Sequence, residues 1–184
     1  MPERGENIFL PFFGYLKSNM SERNLVTVLG IGNILMGDEG FGVHFVRWFS
    51  QRYRATDDVH IIDGGTLGYA LLDIICSCDH LIIVDVLKVK DTPGSIYRFN
   101  KEEMELHLPP PTTAHEVTFP DVLFKSELMG EAPETIFLCI VPQDYKDLRM
   151  EMSPFLYDKF TDMGKLLLAE LEKLNIKLER LSDA

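Results

Sequence analysis

The sequence predicts an α/β fold: a single-domain three-layer sandwich, with a twisted, mostly parallel sheet between helices on both faces. Three observations carry this reading. Short β-branched apolar runs alternate with stretches of helical spacing, which implies parallel pairing through right-handed crossovers. One run, Leu81-Ile82-Ile83-Val84, is apolar at every position and suits a strand covered on both faces. The 184 residues are enough for one sizeable core and short for two.

Taken in order, residues 25–29 form the first strand and run into Gly30-Ile31-Gly32-Asn33. Helical spacing follows over residues 40–53, through Val43, Val46, Trp48 and Phe49. Residues 59–62 give a second strand that ends in Asp63-Gly64-Gly65-Thr66, with helical residues 67–75 behind it. The third strand, residues 81–84, ends in Asp85. Residues 94–99 alternate apolar and polar side chains as an edge strand does, and residues 135–141 supply another buried strand that Pro142 stops. Between these two, Pro109, Pro110 and Pro111 mark a loop, and His115 precedes a helix over residues 117–129 with Pro120 in its first turn. Ser153 and Pro154 start a long amphipathic helix that reaches residue 174. Residues 1–24 form a loosely attached arm before the domain of residues 25–184, and Met20 is an alternative start.

Composition narrows the function. With 18 Lys and Arg against 29 Asp and Glu, the net charge of −11 repels phosphate backbones and anionic membrane surfaces, so neither nucleic acid nor membrane is expected as a partner. The apolar run over residues 8–16 is too short to span a bilayer, is interrupted by Pro11, follows Glu3 and Glu6, and has no small-residue cleavage site. Cys76, Cys78 and Cys139 have neither zinc-ribbon spacing nor the density of a disulfide framework, which points to a reducing, cytoplasmic compartment and to thiols that pack as small apolar groups.

In an open parallel sheet, ligands sit beyond the carboxyl ends of the strands. Asp38 and Glu39 follow the first strand's glycine loop, Asp63 ends the second strand, Asp85 ends the third, and His115 lies on a later loop. A dinucleotide fingerprint from Gly30 needs glycine or alanine where Leu35 stands, and a phosphate loop ending at Gly37 needs lysine where Asp38 stands. Both patterns fail at the deciding residue. Carboxylate oxygens with an imidazole nitrogen instead suit a divalent metal such as zinc, nickel, iron or manganese. Each residue alone has a plainer reading: Asp38 as a helix cap, Asp85 as an acceptor in a turn, His115 as a solvated loop residue. His44, His60, His80 and His107 lack ligand spacing and read as surface or packing residues. There is no G-x-S-x-G elbow and no H-E-x-x-H helix.

Gly30-Ile31-Gly32-Asn33, Asp38-Glu39-Gly40-Phe41-Gly42-Val43, Asp63-Gly64-Gly65-Thr66, Asp85, Pro93-Gly94 and Thr113-Ala114-His115 together resemble the successive motifs of the nickel-iron hydrogenase maturation endopeptidases. The resemblance runs from about residue 25 to at least residue 142, and residues 1–24 depart from it. It implies a peptidase domain that acts on the hydrogenase large-subunit precursor, removing a C-terminal extension after nickel insertion. It also implies that Glu39, Asp85 and His115 meet the metal, nickel supplied by the substrate, a position other divalent metals can take. Asp63, beside flexible Gly64 and Gly65, is a further catalytic candidate for gripping the substrate tail. Two alternatives stay open on the sequence: a nickel-sensing binding module without peptidase activity, and a metallohydrolase of small peptides that holds its own metal.

Overall fold

The computed structural model describes residues 24–105 and 118–181. Residues 1–23 of the expected arm, and His115 with its loop, lie outside the described residues. In chain order the elements are β1 (Val26–Ile31), α1 (Phe41–Ser50), β2 (Tyr53–Arg54), β3 (Val59–Gly65), α2 (Leu72–Cys76), β4 (His80–Val86), β5 (Ile96–Asn100), α3 (Lys101–Glu105), α4 (Phe119–Leu128), β6 (Glu134–Ile140), α5 (Pro154–Asp158), α6 (Phe160–Lys173) and β7 (Glu179–Arg180). A 3-10 turn over Gly37–Gly40 precedes α1, and another over Gly68–Leu71 precedes α2.

Five strands form one sheet in the order β3-β1-β4-β6-β5, with every pairing parallel except β5 against β6. This is the predicted mostly parallel sheet, with the alternating segment at its edge. One face packs Val26, Val28, Val84 and Leu138 against Phe41, Phe45 and Phe49 of α1 and Phe160, Met163 and Leu167 of α6. The other packs Leu29, Leu81, Ile83 and Phe137 against Ile75 of α2, Met104 of α3 and Val122 of α4. Strand alternation divides the apolar residues between two cores, so the sheet is the middle of three layers. On the outer edge, Arg98 of β5 makes a two-pronged ion pair with buried Glu170 of α6, at 2.9 and 3.1 Å.

The structure differs from the sequence reading at several places. The helix expected over residues 153–174 is two helices, because Lys159 N–H bonds Leu156 O three residues back and tightens the last turn of α5, while Leu156 and Phe160 both stay buried. The first long helix stops at Ser50, and Tyr53 instead starts a two-residue strand that pairs with Arg180 in an antiparallel ribbon. The helix before β6 starts at Phe119 instead of residue 117, where the Asp121 carboxylate accepts the Thr118 N–H at 2.7 Å.

The approach of α1 to the sheet sets everything at the carboxyl edge. A Cβ at Gly42 would lie 2.1 Å from Val84 O and 2.4 Å from Ile31 O, so the first turn of α1 sits directly on the ends of β1 and β4. Alanine is the better helix former by up to about 1 kcal/mol, but here the contact would be with backbone that cannot move aside. Gly42→Ala is therefore expected to destabilise the protein by about 3 kcal/mol, read as a lowered urea midpoint with unchanged m-value. A midpoint equal to wild type or above it would show that the approach is not tight.

Candidate functional site

The site is built on the ends of β1 and β4. After β1 the chain turns at Gly32, whose φ of 142° no other residue adopts readily, and a Cβ there would lie 1.9 Å from Glu39 O. The glycine loop thus seats the backbone of the turn that carries Asp38 and Glu39. The two acids then face opposite ways. Asp38 is fully buried, and its carboxylate accepts four hydrogen bonds: from Ser153 N at 2.6 Å, Ser153 Oγ at 2.9 Å, Gln143 N at 2.9 Å and Asp144 N at 2.9 Å. Arg149 Nη2 approaches it at 3.6 Å. Asp38 is therefore not a helix cap but the anchor of the segment between β6 and α5.

Glu39 turns the other way, toward Asp85 at the end of β4. Its side chain is 17% exposed and forms an ion pair with Lys88, which stands just beyond β4 and is 43% exposed. Asp85 accepts the Val86 N–H at 2.7 Å. Burial pushes its carboxyl up to about 7, aided by the Glu39 charge and opposed by that hydrogen bond and by Lys88. A carboxyl poised near neutral pH, beside a second carboxylate, can exchange a proton or offer oxygen to a divalent ion.

Asp63 stands apart from this pair. Its strand end lies two strand spacings from β4, roughly 10 Å, across β1. Arg47 of α1 binds it through Nε at 2.8 Å and Nη2 at 2.6 Å, and its other oxygen accepts Gly65 N–H at 3.1 Å. At this point β3 carries a bulge, since Gly30 pairs with Asp63 and Ile31 with Gly65. His44, next to Arg47 on α1, has a buried Nε2 with no hydrogen-bond partner among the described residues. Burial, with help from Arg47 and against the pull of Asp63, lowers its pKa, so it packs as a neutral imidazole.

Among the described residues, no three His, Cys, Asp or Glu side chains gather closely enough to hold a metal ion. The structure brings Glu39 and Asp85 together, leaves Asp63 with Arg47, and does not describe His115. Lys88 and the anchoring role of Asp38 were not legible in the sequence; a lysine three residues after the strand-ending acid was the only available sign of the first. No disulfide joins the cysteines among the described residues: Cys78 and Cys139 are buried and Cys76 is half-buried, less enclosed than expected. Cys139 pairs in register with Asp85, and burial first, then that carboxylate, raises its pKa well above the ordinary value, which leaves a thiol unsuited to nucleophilic attack.

Residues 43–170 match the family described as hydrogenase maturation protease, a span that contains Asp63, Asp85 and His115. The chain belongs to the hydrogenase maturation protease family. It is 34% identical over 155 residues to the hydrogenase expression/formation protein HupD of Bradyrhizobium diazoefficiens, covering 82% of this chain and 81% of the relative. It is 38% identical over 120 residues to the hydrogenase 2 maturation protease of Escherichia coli, covering 64% of this chain and 73% of that protein. The solved structure of the hydrogenase maturating endopeptidase HybD from E. coli superposes with a TM-score of 0.79 at 31% identity, over 87% of this chain and 99% of that one. Membership of this family makes the chain a peptidase, so the binding-module alternative is set aside.

The raised pKa of Asp85 has a consequence for stability. Below about pH 3.8 the group is protonated in both states and contributes nothing. As pH rises from there to about 7, the unfolded chain releases the proton and the folded chain keeps it, so stability falls; above about 7 the loss is constant. Asp85→Asn keeps an acceptor for Val86 N–H and removes this dependence. The variant is expected to match wild type near pH 4 and to exceed it by about 3 kcal/mol at pH 8, a figure reduced for the partial exposure of the group. Urea unfolding at both pH values checks this, and a variant less stable than wild type at pH 8 would refute it.

Proposed function

We propose that this protease removes the C-terminal extension of the nickel-iron hydrogenase large-subunit precursor after nickel insertion, and that the precursor's nickel is what it recognises. The observation that carries the reading is the convergence of Glu39 and Asp85, from two different strand ends, at the carboxyl edge of a sheet in a hydrogenase maturation protease. With His115 they offer two carboxylates and one imidazole, enough to complete a coordination sphere and too few to hold a metal tightly alone. Nickel on the precursor then registers the scissile bond, and cleavage waits on metal insertion.

Asp85, half-protonated near neutral pH, is suited to activating water or protonating the leaving amine. Asp63 is assigned to the substrate tail, which Gly64 and Gly65 allow to approach the backbone closely. Its tie to Arg47 makes that grip a matter of orientation instead of proton transfer. Three cysteine thiols outside any disulfide accord with work in the reducing cytoplasm.

Enzyme treated with a chelator is expected to shorten nickel-loaded precursor and to leave nickel-free precursor intact, followed by the mass of the large subunit. Glu39→Gln, Asp85→Asn and His115→Ala should each slow processing by more than about 100-fold while the circular dichroism spectrum stays that of wild type. Efficient cutting of nickel-free precursor, or stoichiometric zinc bound tightly to the enzyme alone, would overturn the reading in favour of a metallohydrolase with its own metal.

A further inference from the structure

The proposed metal-contacting pair already has a cation. Lys88 Nζ is ion-paired with Glu39 Oε1, and its charge also bears on Asp85. The same ammonium lies 5.2 Å from the centre of the Tyr145 ring, within cation–π range. Tyr145 is held in place, because its neighbour Asp144 donates its N–H to Asp38 Oδ2 and accepts Asp38 N–H at 3.1 Å. Lys88 therefore has two partners within reach, the Glu39 carboxylate and the Tyr145 ring, on a flexible side chain that is 43% exposed.

We propose that Lys88 is a resident counter-ion of the Glu39–Asp85 site, which keeps free divalent cations out and yields toward Tyr145 when a metal arrives already bound to the precursor. This rests on the assignment of Glu39 and Asp85 as metal-contacting residues. A free divalent ion must break the Lys88–Glu39 pair, shed water and then endure the nearby ammonium, in exchange for few ligands. A metal held by the precursor meets the same obstacle with the binding energy of a whole protein surface behind it, and contacts remote from the metal can drive the displacement. Tyr145 gives the displaced ammonium a place that needs no full rehydration. Lys88 thus acts as a specificity determinant that separates loose metal from delivered metal.

The test is calorimetric titration of the full, metal-free chain with Ni2+ alone and with Zn2+ alone. Lys88→Met should bind one ion per chain at least about tenfold more tightly than wild type, while Lys88→Arg, which keeps the charge, should bind as weakly as wild type. In the Lys88→Met background, Glu39→Gln should abolish the gain. Lys88→Met binding no more tightly than wild type, with an unchanged circular dichroism spectrum, would overturn the counter-ion role, as would a gain that survives Glu39→Gln. The two levels fail separately. A Glu39→Gln chain, otherwise wild type, that processes nickel-loaded precursor at full rate sinks the site assignment. Unaltered metal affinity of Lys88→Met beside an inactive Glu39→Gln sinks only the role of Lys88.

Discussion

The buried carboxylate of Asp38 is the interaction on which the carboxyl edge depends. Removing a charge from water is expensive, and it persists inside a protein only where hydrogen-bond donors replace the lost hydration. Here three backbone N–H groups and one hydroxyl do so, all from one segment of 11 residues spanning Gln143 to Ser153. A single side chain thereby ties the β1–α1 turn to the connection between β6 and α5. The tie fixes two things at once: the direction in which the next residue, Glu39, leaves the turn, and the position of Tyr145 beneath Lys88. Leaving those donors without a buried acceptor would cost more than the individual bonds are worth, so the segment has little freedom to settle elsewhere.

The glycine loop shows how a shared motif can serve different chemistry. In nucleotide-binding folds, glycines let a phosphate approach the backbone at a helix N-terminus. In this chain Gly32 lets the backbone of Glu39 approach instead, and the acids that follow occupy the end of the helix where an anion would dock. The same sheet edge thereby presents carboxylates where a nucleotide-binding fold would receive a phosphate. Asp63, one strand beyond β1, is paired with Arg47, and Glu39 with Lys88, so each of these acids at the edge has its own cation.

Much of this was legible in the sequence, for identifiable reasons. Strands such as residues 81–84 announce themselves because burial on both faces demands continuous apolar character, and the acid that ends such a run must lie at the carboxyl edge. Periodicity shows which residues share a face but not where a helix bends, so the break at Lys159 went unseen, and the two-residue β2–β7 ribbon is too short to leave a pattern. For Asp38 the sequence offers a local cap as the plainer alternative and no sign of its anchoring role, because its partners lie 105 to 115 residues away. Lys88 leaves no local signal for the same reason, since its partner Glu39 is 49 residues distant. Local rules recover elements and the acids at their ends; the network that orients those acids is long-range.

The strand order places β4 in the centre of the sheet, between β1 and β6, with a packed core on each face. Its amides are shielded by neighbours on both sides, and they should exchange with solvent deuterium only when the whole domain opens. Asp85 is the penultimate residue of that strand. The edges can therefore fray, at β3 with its bulge or at β5 with its antiparallel pairing, while the strand that carries Asp85 keeps its position. Placing Asp85 on the part of the chain that opens last preserves its geometry through every smaller opening of the domain.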